Sequence, residues 1–118
     1  MIGIGNEIQV FIATQPVDFR CGVNRLAALV TQALAGDPYD GSVFVFRPKR
    51  SRDRLKLIHW DGSGMILTTK WLEAGQFAWP PVRDGVVRLT RAQMALLLAG
   101  LDWTRLEERR VKRPSLAA

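Results

Sequence analysis

The spacing of apolar residues changes several times along the chain, and each change predicts an element. Glu7–Thr14 (EIQVFIAT) is rich in β-branched and aromatic residues and predicts a strand. Gln15-Pro16 ends it, because proline has no N–H to continue a ladder. The period then lengthens: Phe19, Val23, Leu26, Ala27, Val30, Ala33 and Leu34 recur at helical spacing and form one apolar stripe. Asp18 stands where a carboxylate can cap that helix by accepting from a free N–H of its first turn. Gly36 supplies a C-terminal stop and Asp37-Pro38 closes it.

Three further strands follow. Val43–Arg47 (VFVFR) is apolar on both faces and predicts a central strand. Arg54–Trp60 (RLKLIHW) alternates at first, with Leu55 and Leu57 on one side and Arg54, Lys56 and Ile58 on the other. Met65–Leu72 (MILTTKWL) is the third. The polar connection Pro48–Asp53 (PKRSRD) has hairpin length, and Asp61–Gly64 (DGSG) is a turn in which glycine can take positive φ without a Cβ clash. An irregular aromatic and proline stretch, Phe77–Pro81, leads to an Asp84-Gly85 turn and a short strand, Val86–Leu89. Thr90 with Gln93 matches a capping box opening a helix, Arg91–Ala99, which Gly100 ends. Asp102 or Thr104 starts a last short helix through Arg110, and Pro114–Ala118 reads as a loose end. The expected fold class is α+β: a small antiparallel β-meander of 4–5 strands, one helix in the N-terminal half and one or two at the C-terminus. Residues 1–104 form the expected single domain and 105–118 a basic C-terminal helix or tail.

Composition fits that picture. The 118 residues are 47% hydrophobic and 24% charged, enough for a buried core. Cys21 is the only cysteine, which excludes a disulfide scaffold and fits a reducing cytoplasm. Met1–Ala13 has neither a basic start nor a cleavage-like site, so no secretory leader is expected. The longest apolar run, Met94–Ala99, is far short of the roughly 20 residues that span a bilayer. The expected location is the cytoplasm.

Charge changes the picture more. Seventeen Lys and Arg against eleven Asp and Glu give +6. Arg47, Lys49, Arg50, Arg52, Arg54 and Lys56, against Asp53, concentrate +5 in one segment. Arg105, Arg109, Arg110, Lys112 and Arg113, against Glu107 and Glu108, add +3. Everything else sums to −2. Two basic concentrations on a near-neutral body favour polyanions, nucleic acid first and anionic lipid or an acidic protein second. A solvated charged loop and tail is the alternative reading.

Catalytic chemistry is sparsely provided. His59 is the only histidine, there is no CxxC or HExxH, and no phosphate-cradling GxGxxG or GxxxxGK[ST] occurs. His59 lies inside a predicted strand and is expected to be a locally hydrogen-bonded structural or surface residue, with a catalytic base as the minor reading because no nucleophile is paired with it. Cys21, near a helix start, reads as a small packing residue, with a lowered thiol pKa as the alternative. Asp18, Asp61, Asp84 and Asp102 could in principle hold magnesium for phosphodiester chemistry, but each has a local role as a cap or in an Asp-Gly turn. No catalytic residue, metal or cofactor is assigned. The basic hairpin is the best candidate site. Its cations can neutralise phosphates, and Trp60 or Trp71 could stack on unpaired bases unless, as large aromatics usually do, they pack into the core. Trp79 and Trp103 are expected to pin irregular segments to the core.

The ordered runs VDFRCGVNRLAALV, DPYDGSVFVFRPKRSRDRLKLIHWDGSGMILTTKWLEAGQFAWP and LTRAQMALLLAGLDW resemble the small accessory protein of the insertion sequence 66 family of bacterial transposons. That protein is the second open reading frame product, also called TnpB. The resemblance runs from about Asn6 to Trp103. It implies a role in transposition beside a larger transposase that carries the strand-transfer chemistry, and it transfers no catalytic residues. The family has a basic, glycine-containing hairpin after FVFR. Here Pro48 stands where glycine is expected, Cys21 where lysine is, and Asn24-Arg25 where Asp-Gly is.

Two functional readings follow. In the first the chain is a non-enzymatic accessory that grips transposon DNA through Arg47, Lys49, Arg50, Arg52, Arg54 and Lys56, helped by Lys70 on the neighbouring strand and by the tail arginines. In the second it docks on the transposase, on other accessory proteins of the element or on itself through Met94, Leu96 and Leu97 of the apolar C-terminal helix. No membrane partner is expected.

Overall fold

The computed structural model describes residues 8–83 and 85–106. The elements in chain order are β1 (Val10–Ala13), α1 (Val23–Ala33), β2 (Val43–Phe46), β3 (Arg54–Trp60), β4 (Met65–Trp71), β5 (Val86–Leu89) and α2 (Arg91–Leu98). The five strands form one sheet in the order β4-β3-β2-β1-β5. β2, β3 and β4 are the expected antiparallel meander. β1 joins it parallel to β2, with α1 as the crossover, and β5 closes the far side antiparallel to β1. A parallel neighbour requires such a crossover, whereas short hairpin connections join antiparallel strands only.

Strand β2 is central and every one of its four residues is buried. Both faces of β2 are covered, so that strand lacks the polar side that a half-exposed sheet would show, whereas β4 at the edge is largely exposed. On one face α1 lays Leu26 and Val30 over Ala13, Phe44, Phe46 and Ile58. On the other, Leu97 of α2 joins Phe77 and Trp103 over Val10, Ile12, Val43, Val45, Leu55 and Leu89. Each fully buried aliphatic or aromatic side chain contributes roughly 1.5–3 kcal/mol of transfer free energy. Trp103 and Trp79 do anchor irregular segments: Trp103 Nε1 donates to the Ala78 carbonyl (2.7 Å), and Trp79 packs against Phe77 with ring centroids 5.9 Å apart.

Helix α2 begins as its sequence predicts. Thr90 accepts from the Gln93 N–H (3.1 Å), and the Gln93 side chain accepts from the Thr90 N–H (2.8 Å). Helix α1 differs. It starts after Gly22, with no side-chain cap, several residues later than Asp18 would have placed it. The Lys56 ammonium donates to the carbonyls of Phe19 (2.6 Å) and Cys21 (2.9 Å), so residues 19–21 are held as a turn outside the helix. At the other end Ala35, not Gly36, takes the left-handed conformation (φ 52°). Gly36 serves packing: a Cβ there would meet Val30 at 3.1 Å and Phe44 at 3.3 Å. Arg105 and Leu106 are the last described residues, so the expected basic helix or tail otherwise lies outside them. No helix among the described residues is long and apolar enough to cross a membrane.

Candidate nucleic-acid interface

Alternation along β3 decides where its cations go, because successive side chains leave a strand on opposite faces. Arg54 and Lys56 share a face with Ile58, which packs under α1, while Leu55 belongs to the opposite core. Arg47 and Lys70 point the other way, flanking the α2 side. The cationic residues predicted to act together are therefore divided by the sheet.

Three of them spend their charge inside the fold. Arg47 Nη1 donates to the Pro80 carbonyl (3.0 Å) and its guanidinium lies 5.4 Å from the centre of the Trp79 ring. Burial, and then the neighbouring Arg52 charge, pulls the Arg47 pKa below its usual value. Lys56 ties the 19–21 turn to the sheet, and its ammonium sits 4.7 Å from the Phe19 ring centre. Lys70 donates to the Leu98 carbonyl, at the C-terminus of α2, where a cation complements the helix dipole. Arg47, Lys56 and Lys70, expected as phosphate contacts, each donate to at least one backbone carbonyl, so in this structure they also brace the fold.

The loop joining β2 to β3 keeps the other charges outside. It is clamped on both sides and does not project as a free ribbon. Val17 N–H donates to the Arg47 carbonyl (2.8 Å) and Lys49 N–H to the Val17 carbonyl (3.1 Å). Across the loop, Leu72 N–H donates to the Asp53 carbonyl (2.8 Å) and Phe77 N–H to the Arg52 carbonyl (2.7 Å). Lys49, Arg50 and Arg52 are exposed on this rigid base. Arg54 is half-buried, with its guanidinium 3.6 Å above the centre of the Trp71 ring.

The clamp brings in a cation that sequence reasoning missed. Arg20, far upstream of the hairpin, reaches the loop because Val17 pairs with Pro48. Asp18, Phe19 and Arg20 then line a cleft of about 450 Å³ with Pro48, Lys49, Arg50 and Ser51. Asp18 accepts from the Arg20 backbone N–H (2.9 Å), from its Nε (3.1 Å) and from its Nη2 (2.8 Å). The Arg20 side chain, bonded to it, holds the Asp18 carboxyl well below the usual carboxylate range. Asp18 is therefore an anion at neutral pH and offsets the Arg20 charge. Only the proximity of Asp18 and Arg20 in sequence hinted at this pair.

The acids are otherwise occupied by turns. Asp61 accepts from Ser63 N–H (2.8 Å) and Gly64 N–H (2.9 Å), and these bonds lower its pKa. Asp102 accepts from the Thr104 hydroxyl and backbone N–H, and its pKa is lowered for that reason. Asp84 lies outside the described residues. Among the described residues no three His, Cys, Asp or Glu side chains gather as a metal site. His59 is half-buried and its Nδ1 has no hydrogen-bond partner, so the local bond expected of it is not made at that atom.

The predicted docking helix is turned inward. Leu97 is fully buried in the core, and Met94 and Leu96 pack against it. The docking role assigned to Leu97 is corrected accordingly, because its side chain is not at the surface. Exposed apolar side chains lie elsewhere, among them Ile66, Leu67 and Trp71 on the edge strand β4.

Comparison with known proteins agrees with the motif order. The chain is 57% identical over 118 residues, 100% of both chains, to "Uncharacterized protein y4jC" of Sinorhizobium fredii (strain NBRC 101917 / NGR234). It is 43% identical over 108 residues to "Uncharacterized protein y4hO" of the same organism, covering 92% of this chain and 93% of that one. No solved structure matches. The family model described as IS66 Orf2 like protein matches residues 8–108, which takes in the whole sheet, both helices and the clamped basic loop. The chain belongs to the IS66 Orf2-like family.

Proposed function

We propose that the protein is a non-enzymatic accessory of transposition that holds DNA by its phosphates at the β2–β3 loop. Membership of the IS66 family suggests the process. One observation carries the mechanism: Lys49, Arg50 and Arg52 stand exposed on a loop hydrogen-bonded to the fold on both sides. A fixed base reduces the ordering cost of binding, because the backbone that presents the charges is already immobilised. Arg20 and Arg54 extend the cationic strip on either side. Of the acids beside the strip, Asp18 is paired with Arg20 and Asp53 accepts from Trp71.

Phosphate contacts release counterions, so affinity falls with salt. With at least three contacts, log affinity for duplex DNA should fall against log salt with a slope of roughly −3 or steeper. Fluorescence anisotropy on transposon-end and random duplexes measures this. Absence of salt-sensitive binding at low ionic strength rules the proposal out.

The Asp18–Arg20 pair offers a test by gain. In Asp18→Asn the amide oxygen can still accept from the Arg20 N–H, while the charge that offsets Arg20 is gone. Duplex affinity should rise roughly fivefold near 0.15 M salt, and the slope should steepen by about 0.9. The same salt titration, with a melting curve to verify the fold, decides it.

Docking on the transposase is the second reading, and the exposed apolar side chains of β4 support it. Ile66 and Leu67 are exposed on β4, whose outer edge has no neighbouring strand among the described residues. Such an edge offers backbone donors and acceptors to a partner strand.

A further inference from the structure

Trp71 is the one tryptophan held in the open. It is 62% exposed, against 5% for Trp103, while Trp60 and Trp79 are half-buried. An exposed indole on an edge strand would ordinarily be mobile, yet this one is fixed from two directions. Its Nε1 donates to Asp53 Oδ2 (3.1 Å). Arg54, its register partner across the strand pair, lays its guanidinium 3.6 Å from the ring centre. Asp53 Oδ1 is 3.8 Å from Arg54 Nε, so one carboxylate steadies both the ring and the cation above it. The arrangement fixes the indole with one face under the Arg54 guanidinium, itself a charge that can meet a phosphate, and leaves the residue 62% exposed, so the face away from Arg54 is the one offered to a ligand. Arg52 precedes Arg54 by two residues and is itself exposed.

We propose that Trp71 is a stacking platform for an unpaired nucleobase, so that the basic loop and β4 together prefer single-stranded DNA to duplex. The inference rests on the phosphate-binding role proposed above and adds the ligand's state. Every base has a π-face, so a tryptophan platform is tolerant of sequence, and Arg54 contributes both stacking and charge. A paired base inside a duplex has both faces already stacked on its neighbours and cannot use the platform. Lys49, Arg50 and Arg52 serve either form of DNA, because they see only phosphates.

The test compares a 12-residue oligothymidylate with a duplex of equal phosphate number, for the wild type, Trp71→Ala, Trp71→Phe and Lys49→Ala. Trp71→Ala should weaken the single strand roughly tenfold and the duplex less than twofold. Trp71→Phe keeps a flat ring and should lose only about threefold on the single strand. Lys49→Ala should weaken both probes alike. Intrinsic tryptophan emission should be quenched by the single strand in the wild type and not in Trp71→Phe. Melting curves close to wild type for both Trp71 variants show that the fold is intact, as expected for a ring so exposed. If the wild type binds both probes and Trp71→Ala leaves single-strand affinity unchanged, the platform is overturned and the phosphate role stands. Should the wild type bind neither probe at low salt, both fall together.

Discussion

Replacing Lys49, Arg50 and Arg52 together by alanine should weaken duplex DNA binding by about 10²-fold near 0.15 M salt and flatten the salt slope by roughly 2.7. Each phosphate contact contributes about 0.9 to the slope, and three are removed. The side chains are exposed and the loop is held by its backbone, through the bonds of Val17, Leu72 and Phe77, so the melting temperature should stay close to wild type. Arg47→Ala and Lys70→Ala supply the contrast. Their cations are committed to the Pro80 and Leu98 carbonyls. Each substitution strands a carbonyl and should destabilise the fold by roughly 1–3 kcal/mol while leaving the slope unchanged. Were Arg47→Ala to flatten the slope as much as loss of a loop residue, Arg47 would be a phosphate contact and its reading as a brace alone would be refuted. Salt-titrated anisotropy and thermal unfolding of the same preparations separate the two effects.

That contrast also marks how far the sequence could be read. The positions of the strands and of α2 were legible because short β-branched and apolar runs, Asp-Gly turns and the Thr90–Gln93 box are local signals. The parallel placement of β1 was not, since it depends on how α1 crosses the sheet. At the site, the sign and location of the charge were legible in the run from Arg47 to Lys56, but the use of each charge was not. Arg54 and Lys56 were read correctly as sharing a side of β3. Nothing local, however, says that Lys56 meets the Phe19 and Cys21 carbonyls or that Lys70 meets the end of α2. Those partners are 37, 35 and 28 residues away in sequence. Arg20 was overlooked for the same reason, because a single parallel bridge at Val17 delivers it to the loop. Trp71 shows the opposite case. Hydrophobic transfer predicts burial for a tryptophan, and the edge position of β4 overrides it.

Helix α2 presents the second large effect. Its apolar run Met94–Ala99 suggests a surface for partners, but Leu97 is fully buried among the core residues beneath it, and Trp103 belongs to the same cluster. Leu97→Ala should therefore cost about 2–5 kcal/mol, the lost transfer free energy plus the cavity left behind. That is a large share of the roughly 5–15 kcal/mol that holds a domain of this size together. The melting temperature should fall by about 10 °C or more. Leu96→Lys should cost much less, because Leu96 is only half-buried and a lysine stem can lie along apolar surface with its ammonium in water. If Leu97 were instead a docking residue, its truncation would leave the isolated protein's unfolding midpoint in place and weaken only an interaction. Urea unfolding of the isolated chain decides between these, and an unchanged midpoint for Leu97→Ala would return α2 to the surface. The expected loss has a functional corollary. Lys70 braces the last turn of α2 from β4, and the neighbouring Trp71 occupies the next position on that strand. Loosening α2 should therefore disturb the edge on which Trp71 sits, so Leu97→Ala should impair single-strand binding through the fold, and at temperatures below its lowered midpoint it should retain the salt slope set by the loop.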